Sequence, residues 1–464
     1  MKKIILALVI FFVAITFFTS CKKNGFITSS NARLNFSTDS LKYDTVFTTI
    51  GSITKTLKIV NKNDQKLLIS KVKLMGGAAS NFKINVNGIA TTERNDIELA
   101  ANDSIYVFVN LTVNPTVANL PFIISDSILI NYNGLYKFIQ LQAYGQNANF
   151  ISNGLIISNV TFNNTLPYVI LGGLQIANTA SLTINAGTKI YCHADAPIIV
   201  DGKLVCNGTK TQPVIFSGDR LDNPYINFPA SWPGIYFRTA SKDNFLQFTN
   251  VLNAYQAISV SQPSVNANPK LIVKQCILDN ALDAGFTLAN TSVNAENCLV
   301  SNCGKNITIS NGGTYSFTHC TIAAYGNNYV QHKNSAVYLS DANENNQTNP
   351  LTVLLRNSII YGDAGLVQNE IQTNKIGSSF NVTLDYCLYR NTTDPSNTII
   401  NQSIKNIDPA FDSVNNVNRI YNFRITKNAT APGINKAAST TLLKDLDDKN
   451  RSVGLPDIGA YEKQ

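Results

Sequence analysis

The chain reads as all-β: a β-sandwich first, then a long solenoid of parallel strands. Three observations carry this reading. Between Asn250 and Cys387, short lines of sequence repeat a pattern of Cys or Asn followed by aliphatic residues, and the steps from Cys276 to Cys298 and from Cys298 to Cys320 are both 22 residues. A fixed period of about 20–50 residues is the mark of stacked repeats, and about 22 suits one coil of a parallel β-helix, three short strands and three turns. Residues 34–147 instead break into alternating runs closed by turn residues, the pattern of a sheet with one buried face. Charged residues make up only 14% of the chain, while long helix-period segments are hard to find, so a large β core can be buried.

Composition also excludes partners. The formal charge is +8, but Lys2 and Lys3 lie in a leader, and the remaining cations are scattered. No basic run interleaved with aromatics argues for nucleic acid. Of the eight Cys, Cys21 belongs to the leader boundary, and the remaining odd number cannot all pair. The cysteines of the repeat read as small buried hydrophobes. Cys192 with Cys206, and Cys298 with Cys303, are the pairs that adjacent strands could bring together. No Cys/His spacing supports zinc.

In chain order, residues 1–20 read as a signal peptide, with Lys2-Lys3 ahead of an apolar run from Ile4 to Phe18. The segment Phe18-Thr19-Ser20-Cys21 resembles a bacterial lipobox in the looser form found in the Bacteroidota. That resemblance implies a lipid on Cys21, a tether over residues 21–33 and an outer-membrane location. Several acyl chains on one residue anchor stably, each buried CH₂ adding about 0.8 kcal/mol. Some lipoproteins of that group carry acidic residues after the Cys as a surface-export signal. Here Lys22 and Lys23 stand in those places, so the periplasmic and surface faces both stay open.

Residues 34–148 form the sandwich, with strands expected at Tyr43–Thr49, Thr54–Asn61, Leu67–Leu74, Phe82–Val86, Ser104–Val113, Ser127–Tyr132 and Leu135–Ala143. Asn133-Gly134 signals a type I′ hairpin, because both residues tolerate positive φ. The pattern from Asp44 to Asn61 resembles Ig-like domains of spindle and ciliary proteins and of many Bacteroidota lipoproteins. Such domains are spacers or adhesion modules.

Residues 149–464 form the solenoid. Short apolar runs closed by Gly turns, such as Leu182–Ile190 and Ile198–Leu204, precede Trp232-Pro233-Gly234-Ile235-Tyr236-Phe237. These runs resemble the first coils, and the W-x-G-I-x-F strand, of right-handed parallel β-helix proteins of the pectin-lyase-like kind. The closing Pro456-Asp457-Ile458-Gly459-Ala460-Tyr461-Glu462 resembles the D-I-G-A-Y-E ending of secreted bacterial β-helices. It is expected to cap the open end of the last coil. Asp445, Asp447 and Asp448 just before it offer hard oxygen ligands, the one candidate for Ca²⁺ in the chain, although they do not fit an EF-hand loop.

The family resemblance implies polysaccharide lyases, hydrolases or adhesins, and fold alone does not choose. The motifs of polygalacturonases are absent, and no cluster of Asp falls between residues 250 and 390. The richest local set is Asp219, Arg220, Asp222 and Tyr225, just before Trp232. Carboxylates and a guanidinium can hold hydroxyls, and aromatic rings stack on sugar faces, so these five are the candidate glycan-binding residues, against a purely structural long turn. His319 beside Cys320 is not a catalytic pair, since neighbouring strand residues point to opposite faces. Five Asp-Ser/Thr-aliphatic triplets, at Asp39, Asp44, Asp103, Asp126 and Asp412, resemble an O-glycosylation signal or serve as turn starts. The sequence thus describes a lipid-anchored envelope protein with a non-catalytic binding or structural role towards a glycan or another envelope protein. The alternative is a polysaccharide lyase or glycoside hydrolase acting in the β-helix cleft.

Overall fold

The computed structural model describes residues 25–48, 51–114, 122–451 and 454–464. Cys21 and the leader therefore lie outside the described residues. The chain divides into two compact units at Asn147/Ala148.

The first unit is a sandwich of two five-stranded sheets. Its strands alternate: Ser104–Leu111 buries every second side chain, and Leu57, Ile59, Val107 and Val109 meet Ile69, Ile128 and Ile139 in one core. The Asn133-Gly134 hairpin is present, with φ of 46° and 73°, and pairs Tyr132 with Leu135. Strand Ser40–Phe47 runs parallel to Leu135–Gln146. Three short strands, Leu34–Phe36, Ile89–Thr91 and Glu93–Leu99, complete the sheets; their polar or brief runs give no alternation to read.

In the second unit, 26 strands join in a continuous parallel ladder. Each strand generally pairs with the third strand on, so three sheets wind round a common core. Ile198 lies beside Ile235, Ile235 beside Ile258 and Ile258 beside Phe286. Ile307 and Val337 continue the same inward column, and all are essentially inaccessible. Gly234, at φ +125°, is required where it stands, since a Cβ there would fall on the Gln256 carbonyl.

Two bends are built alike. At the first, a residue with φ near +50° precedes a small buried one: Gln275 before Cys276, Asn297 before Cys298, His319 before Cys320 and Asn357 before Ser358. The Cys ladder is real, but its other members differ from the sequence alignment by one position. Thr249 donates its N–H to Cys276 Sγ, and Ser358 Oγ accepts from Cys320 N–H. Thr249 and Ser358, not Asn250 and Asn357, therefore stand in the cysteine column. All seven described cysteines are free and buried, so neither candidate disulfide forms. At the second bend the positive-φ residues are Asn253, Asn280 and Asn302, and Asn280 Nδ2 donates to Asn253 Oδ1 at 2.7 Å.

The C-terminal segment is not an end cap. It lies along the flank of the coils, where Phe423, Leu446, Ala460 and Tyr461 cover Leu299 and Ala323, and Ile425, Ala431 and Ile458 cover Ile359 and Leu388. Its clamp is the D-I-G-A-Y-E ending. Arg451 bonds Glu462 at 3.0 Å, with both side chains 1% exposed, and its guanidinium also donates to Asn297 Oδ1 at 2.7 Å. Burial pushes the Glu462 carboxyl up to about 7. Asp457 accepts backbone N–H bonds from Asn435 and Lys463.

Candidate functional site

The outer surface of the first sheet carries an axial column of side chains, one per coil. Ile199 neighbours Tyr236, and Tyr236 neighbours Ser259. Ser259 is followed by Thr287 and Thr308, then Tyr338 and Gln372. Strand spacing sets these about 4.8 Å apart. The column points outward because alternate residues in the same strands, such as Ile307 and Leu339, are committed to the core.

Two hollows lie along it. One, of about 380 Å³, surrounds Tyr236 and is walled by Pro197, Pro233 and Arg238. The other, of about 860 Å³, has Thr308, Tyr338 and Gln372 as its floor. Its walls are Lys305, at the start of the Lys305–Thr318 strand, and loops that lengthen the later coils, which bring in Lys333, Asn369 and Ser396. Thr308 Oγ1 is buried there without a hydrogen-bond partner. Such a surface offers an aromatic face beside amides, hydroxyls and two cations, the chemistry that holds a polyhydroxylated chain.

Acid–base chemistry at a glycosidic bond needs two carboxyl groups about 5–9.5 Å apart. Among the described lining residues of the larger hollow, Asp394 is the only carboxylate. It bonds Lys405 at 2.7 Å and accepts from the Tyr389 hydroxyl at 2.8 Å. Its bonds to Lys405 and Tyr389 hold the carboxyl below its ordinary range. Lys305 is 40% exposed and pairs with Asp283 at 3.8 Å.

The residues singled out from sequence are partly brought together. Arg220 grips Asp222 with two bonds of 2.8 and 3.0 Å and lies 3.9 Å from the centre of the Tyr225 ring. Asp219 turns away to His193 Nδ1 at 2.7 Å. Trp232 is a correction: it is 1% exposed, its ring stacks near Phe216 and its indole N–H donates to the Leu252 carbonyl at 2.9 Å. It is core and cannot touch a glycan. Tyr225 remains exposed and begins an aromatic cluster, packing on Phe228, which packs on Tyr329.

The calcium candidates are a second correction. Asp445 Oδ1 accepts the N–H groups of Asp447 and Lys449, and its Oδ2 that of Glu462. Asp447 pairs with Lys210 and Arg424; burial opposes its ionisation, yet these cations hold the carboxyl down at about 2. The Asp445 oxygens are spent on the tail's own turn and those of Asp447 on two cations, and no group of acidic, His and Cys side chains able to hold a metal occurs among the described residues.

A buried ionic network closes the loops beside the larger hollow. His332 bonds Asp363 at 2.8 Å and Glu370 at 3.0 Å, and Arg390 bonds Glu370 at 2.7 Å. Burial disfavours the charged ring, but the two carboxylates outweigh it and raise His332 to about 9.

With this geometry in view, comparison with known proteins is informative for one region. The pectate-lyase-like β-helix domain family matches residues 154–249, the first coils. No curated protein matches. Among solved structures, the chain is similar over 24% of its length to a family 123 glycoside hydrolase from Clostridium perfringens, described for glycolipid glycan hydrolysis, at 11% identity and a TM-score of 0.18. It spans 25% of that enzyme. It is also similar to a PapD-like ASH domain of human CEP192, at 11% identity and TM-score 0.18 over 28% of this chain and 92% of that one. A Caenorhabditis elegans MSP family member, WR4, matches at 14% identity and TM-score 0.17, over 25% of this chain and 99% of that one.

The groove residues Thr308, Tyr338 and Gln372 were not legible in the sequence. The coils that carry them differ in length, so no fixed period aligns them. The W-x-G-I-x-F strand did offer a signal, since its Tyr236 is the outward residue of that column.

Proposed function

We propose that this chain is a non-catalytic, carbohydrate-binding protein of the cell envelope, tethered by a lipid on Cys21, whose β-helix lays a polysaccharide along the Tyr236–Tyr338 column. The observation that carries the reading is a pair of hollows on one axial column, with Tyr236 in the first and Tyr338 among amide, hydroxyl and lysine side chains in the second. The pectate-lyase-like match over the first coils supports a carbohydrate-related role. The engagement of Asp394 by Lys405 and Tyr389 supports binding without turnover.

The test is to incubate the soluble chain beginning after Cys21 with a panel of neutral and acidic polysaccharides. Retention of at least one, with no new reducing or unsaturated ends, is expected. Tyr338→Ala should weaken retention about tenfold, the loss of roughly 1.4 kcal/mol of stacking and burial. Product accumulating with time would overturn the non-catalytic reading, and no retention of any polysaccharide would overturn the glycan reading. For the anchor, Cys21→Ala should move the full-length protein from the membrane to the soluble fraction.

A further inference from the structure

The loops that wall the larger hollow share one buried anchor. His332 stands directly before the lining residues Lys333 and Ser335. Asp363 and Glu370 bound a loop whose own residues Gln368 and Asn369 also line the hollow. Arg390 is followed by Asn391, another lining residue. The ionic network and the walls are therefore built from the same short segments.

The His332 ring is bonded at both ends. Its Nδ1 lies 2.8 Å from Asp363 Oδ1 and its Nε2 lies 3.0 Å from Glu370 Oε2. An ionised carboxylate only accepts, so both ring nitrogens must donate and the ring is an imidazolium. A neutral ring would set a lone pair against one of the two carboxylates. The His332 side chain is 3% exposed and that of Glu370 0%, so neither can turn to solvent instead. Arg390 is the second cation. Its Nη2 donates to Glu370 Oε1 at 2.7 Å, to the Asp363 carbonyl at 2.6 Å and to the Val367 carbonyl. Two carboxylates and two cations balance only while His332 is charged. The other titratable groups packed here are Tyr325 and Tyr361, both pushed up chiefly by burial, with Asp408 adding to the effect on each. No further bond to the ring occurs among the described residues.

The loop from Asp363 to Glu370 is not a strand; it joins strands Ile359–Gly362 and Ile371–Asn374. Its place depends on ties to its neighbours. Arg390 holds the Val367 carbonyl, and the Thr392 N–H donates to the Gln368 carbonyl. Ser335 Oγ donates to the Asn369 carbonyl at 2.7 Å, which joins the two loops beside the ring. The space is closed behind it, since a Cβ on Gly362 would meet both His332 Cε1 and Glu370 Oε1. The ring therefore cannot shift without moving the loop. The floor is set separately, because Tyr338 and Gln372 pair within the strand ladder.

We infer that His332 is a positioning residue for the larger hollow: its doubly bonded ring pins the Asp363–Glu370 loop to the segment Lys333–Ser335 and so fixes the walls between which a glycan must fit. The ligand rests on the carbohydrate reading above; the pinning stands on protein contacts alone. Loss of one ring proton breaks one of the two bonds and leaves a buried negative charge without its partner. The pinning should therefore weaken as pH rises through about 9.

The experiment has two arms, both on the soluble chain beginning after Cys21. In the first, without ligand, hydrogen exchange read by mass spectrometry follows residues 363–371. His332→Gln should speed exchange there about tenfold at a fixed pH and leave the strand Leu271–Lys274 unchanged. In the second, retention of dextran, laminarin and xyloglucan, which carry no titrating groups, is measured from about pH 7 to about pH 10 on protein shown by circular dichroism to be folded. Wild-type affinity for a retained polysaccharide should fall about tenfold across that range. His332→Gln should begin about tenfold weaker and stay flat. Tyr338→Ala, a change in the floor, should bind more weakly at every pH and keep the wild-type slope. A residue serving stability alone would lower the melting temperature and leave the retention profile as it is in the wild type. The inference is overturned by unchanged exchange in His332→Gln, or by a retention profile that the variant shares with the wild type. Should the variant not fold, a wild-type profile without the fall overturns it equally. If the wild type retains no polysaccharide, the carbohydrate reading fails, and the exchange arm alone decides the pinning.

Discussion

The two bends of the solenoid use the same backbone and nearly the same residues, yet end in opposite states. At the first, the amides of Gln275, Asn297 and Asn357 are taken up by the tail. Gln275 Nε2 donates to the Asp445 carbonyl. Asn297 donates to Lys444 and accepts from Arg451, and Asn357 exchanges bonds with Ala438. At the second, Asn280 and Asn302 spend their N–H groups within the coils and leave their oxygens open. The same side chain is thus a fastening where the tail reaches it and is left half-satisfied where the tail does not.

The largest effect should come from breaking the fastened bend. Arg451→Ala strands the Glu462 carboxylate and the Asn297 oxygen in a place where both ionic side chains are 1% exposed. A loss of about 2–3 kcal/mol is expected, because the Asn297 oxygen and the Glu462 carboxyl lose their buried partner and the carboxyl, already raised to about 7, takes up a proton. Chemical denaturation should show it as a lowered midpoint. A loss under 1 kcal/mol would mean that the tail is held by its apolar contacts alone.

The comparison is sharpened by making one change at both bends. Glycine keeps the positive φ without strain, so Asn297→Gly and Asn302→Gly remove only side-chain bonds. Asn297→Gly should cost about 2–3 kcal/mol, since Arg451 and the Lys444 carbonyl lose partners. Asn302→Gly should cost less, about 1 kcal/mol, since its oxygen has no partner and only the 3.2 Å bond from its Nδ2 to Asp279 Oδ1 is lost. Equal losses in thermal denaturation would refute the distinction between the fastened bend and the half-satisfied one.

These bends also show where sequence reading stopped. The period of 22 residues located Cys276, Cys298 and Cys320 because those coils carry no inserted loop. The Cys-or-Asn pattern, rather than the period, misplaced Asn250 and Asn357 by one position, because Thr249 and Ser358 stand in for Cys there and an Asn lies beside each. Tyr225 and Arg220 were readable as a local cluster. The hollow that Asp279 and Arg419 line together was not, because the two are 140 residues apart in sequence, and only the return of the tail along the coils joins them. The same return explains why Asp445 and Asp447, acidic and clustered in sequence, are used up by backbone N–H groups and by Lys210 and Arg424.

Further along the coils, polar groups are matched by charge. His332 lies between Asp363 and Glu370, with Arg390 completing the set. Its folded-state value, about 9, is raised above the ordinary histidine value of 6.5. The stabilisation is therefore fully present below pH 6.5 and lost as pH rises towards 9, up to about 3 kcal/mol. Melting temperature should fall across that window, and His332→Gln should remove this part of the slope. A slope unchanged in the variant would assign the pH dependence elsewhere.

The smallest effect is expected inside the first bend, in the cysteine column. Cys298 Sγ points at the Glu296 carbonyl, 3.3 Å away. Ser358 and Ser403, in the equivalent places, donate to the carbonyls of Arg356 and Asn401 at 2.8 and 2.9 Å. A serine at 298 can make the same local bond, so Cys298→Ser should cost only about 1 kcal/mol, the lost packing of a sulfur between its two neighbours. Cys298→Leu should cost more, about 1–3 kcal/mol, because the column has no room for added methylenes. If serine proved the worse of the two in denaturant titrations, the column would be selecting for apolarity rather than for size, and the Thr and Ser that interrupt it would need another explanation.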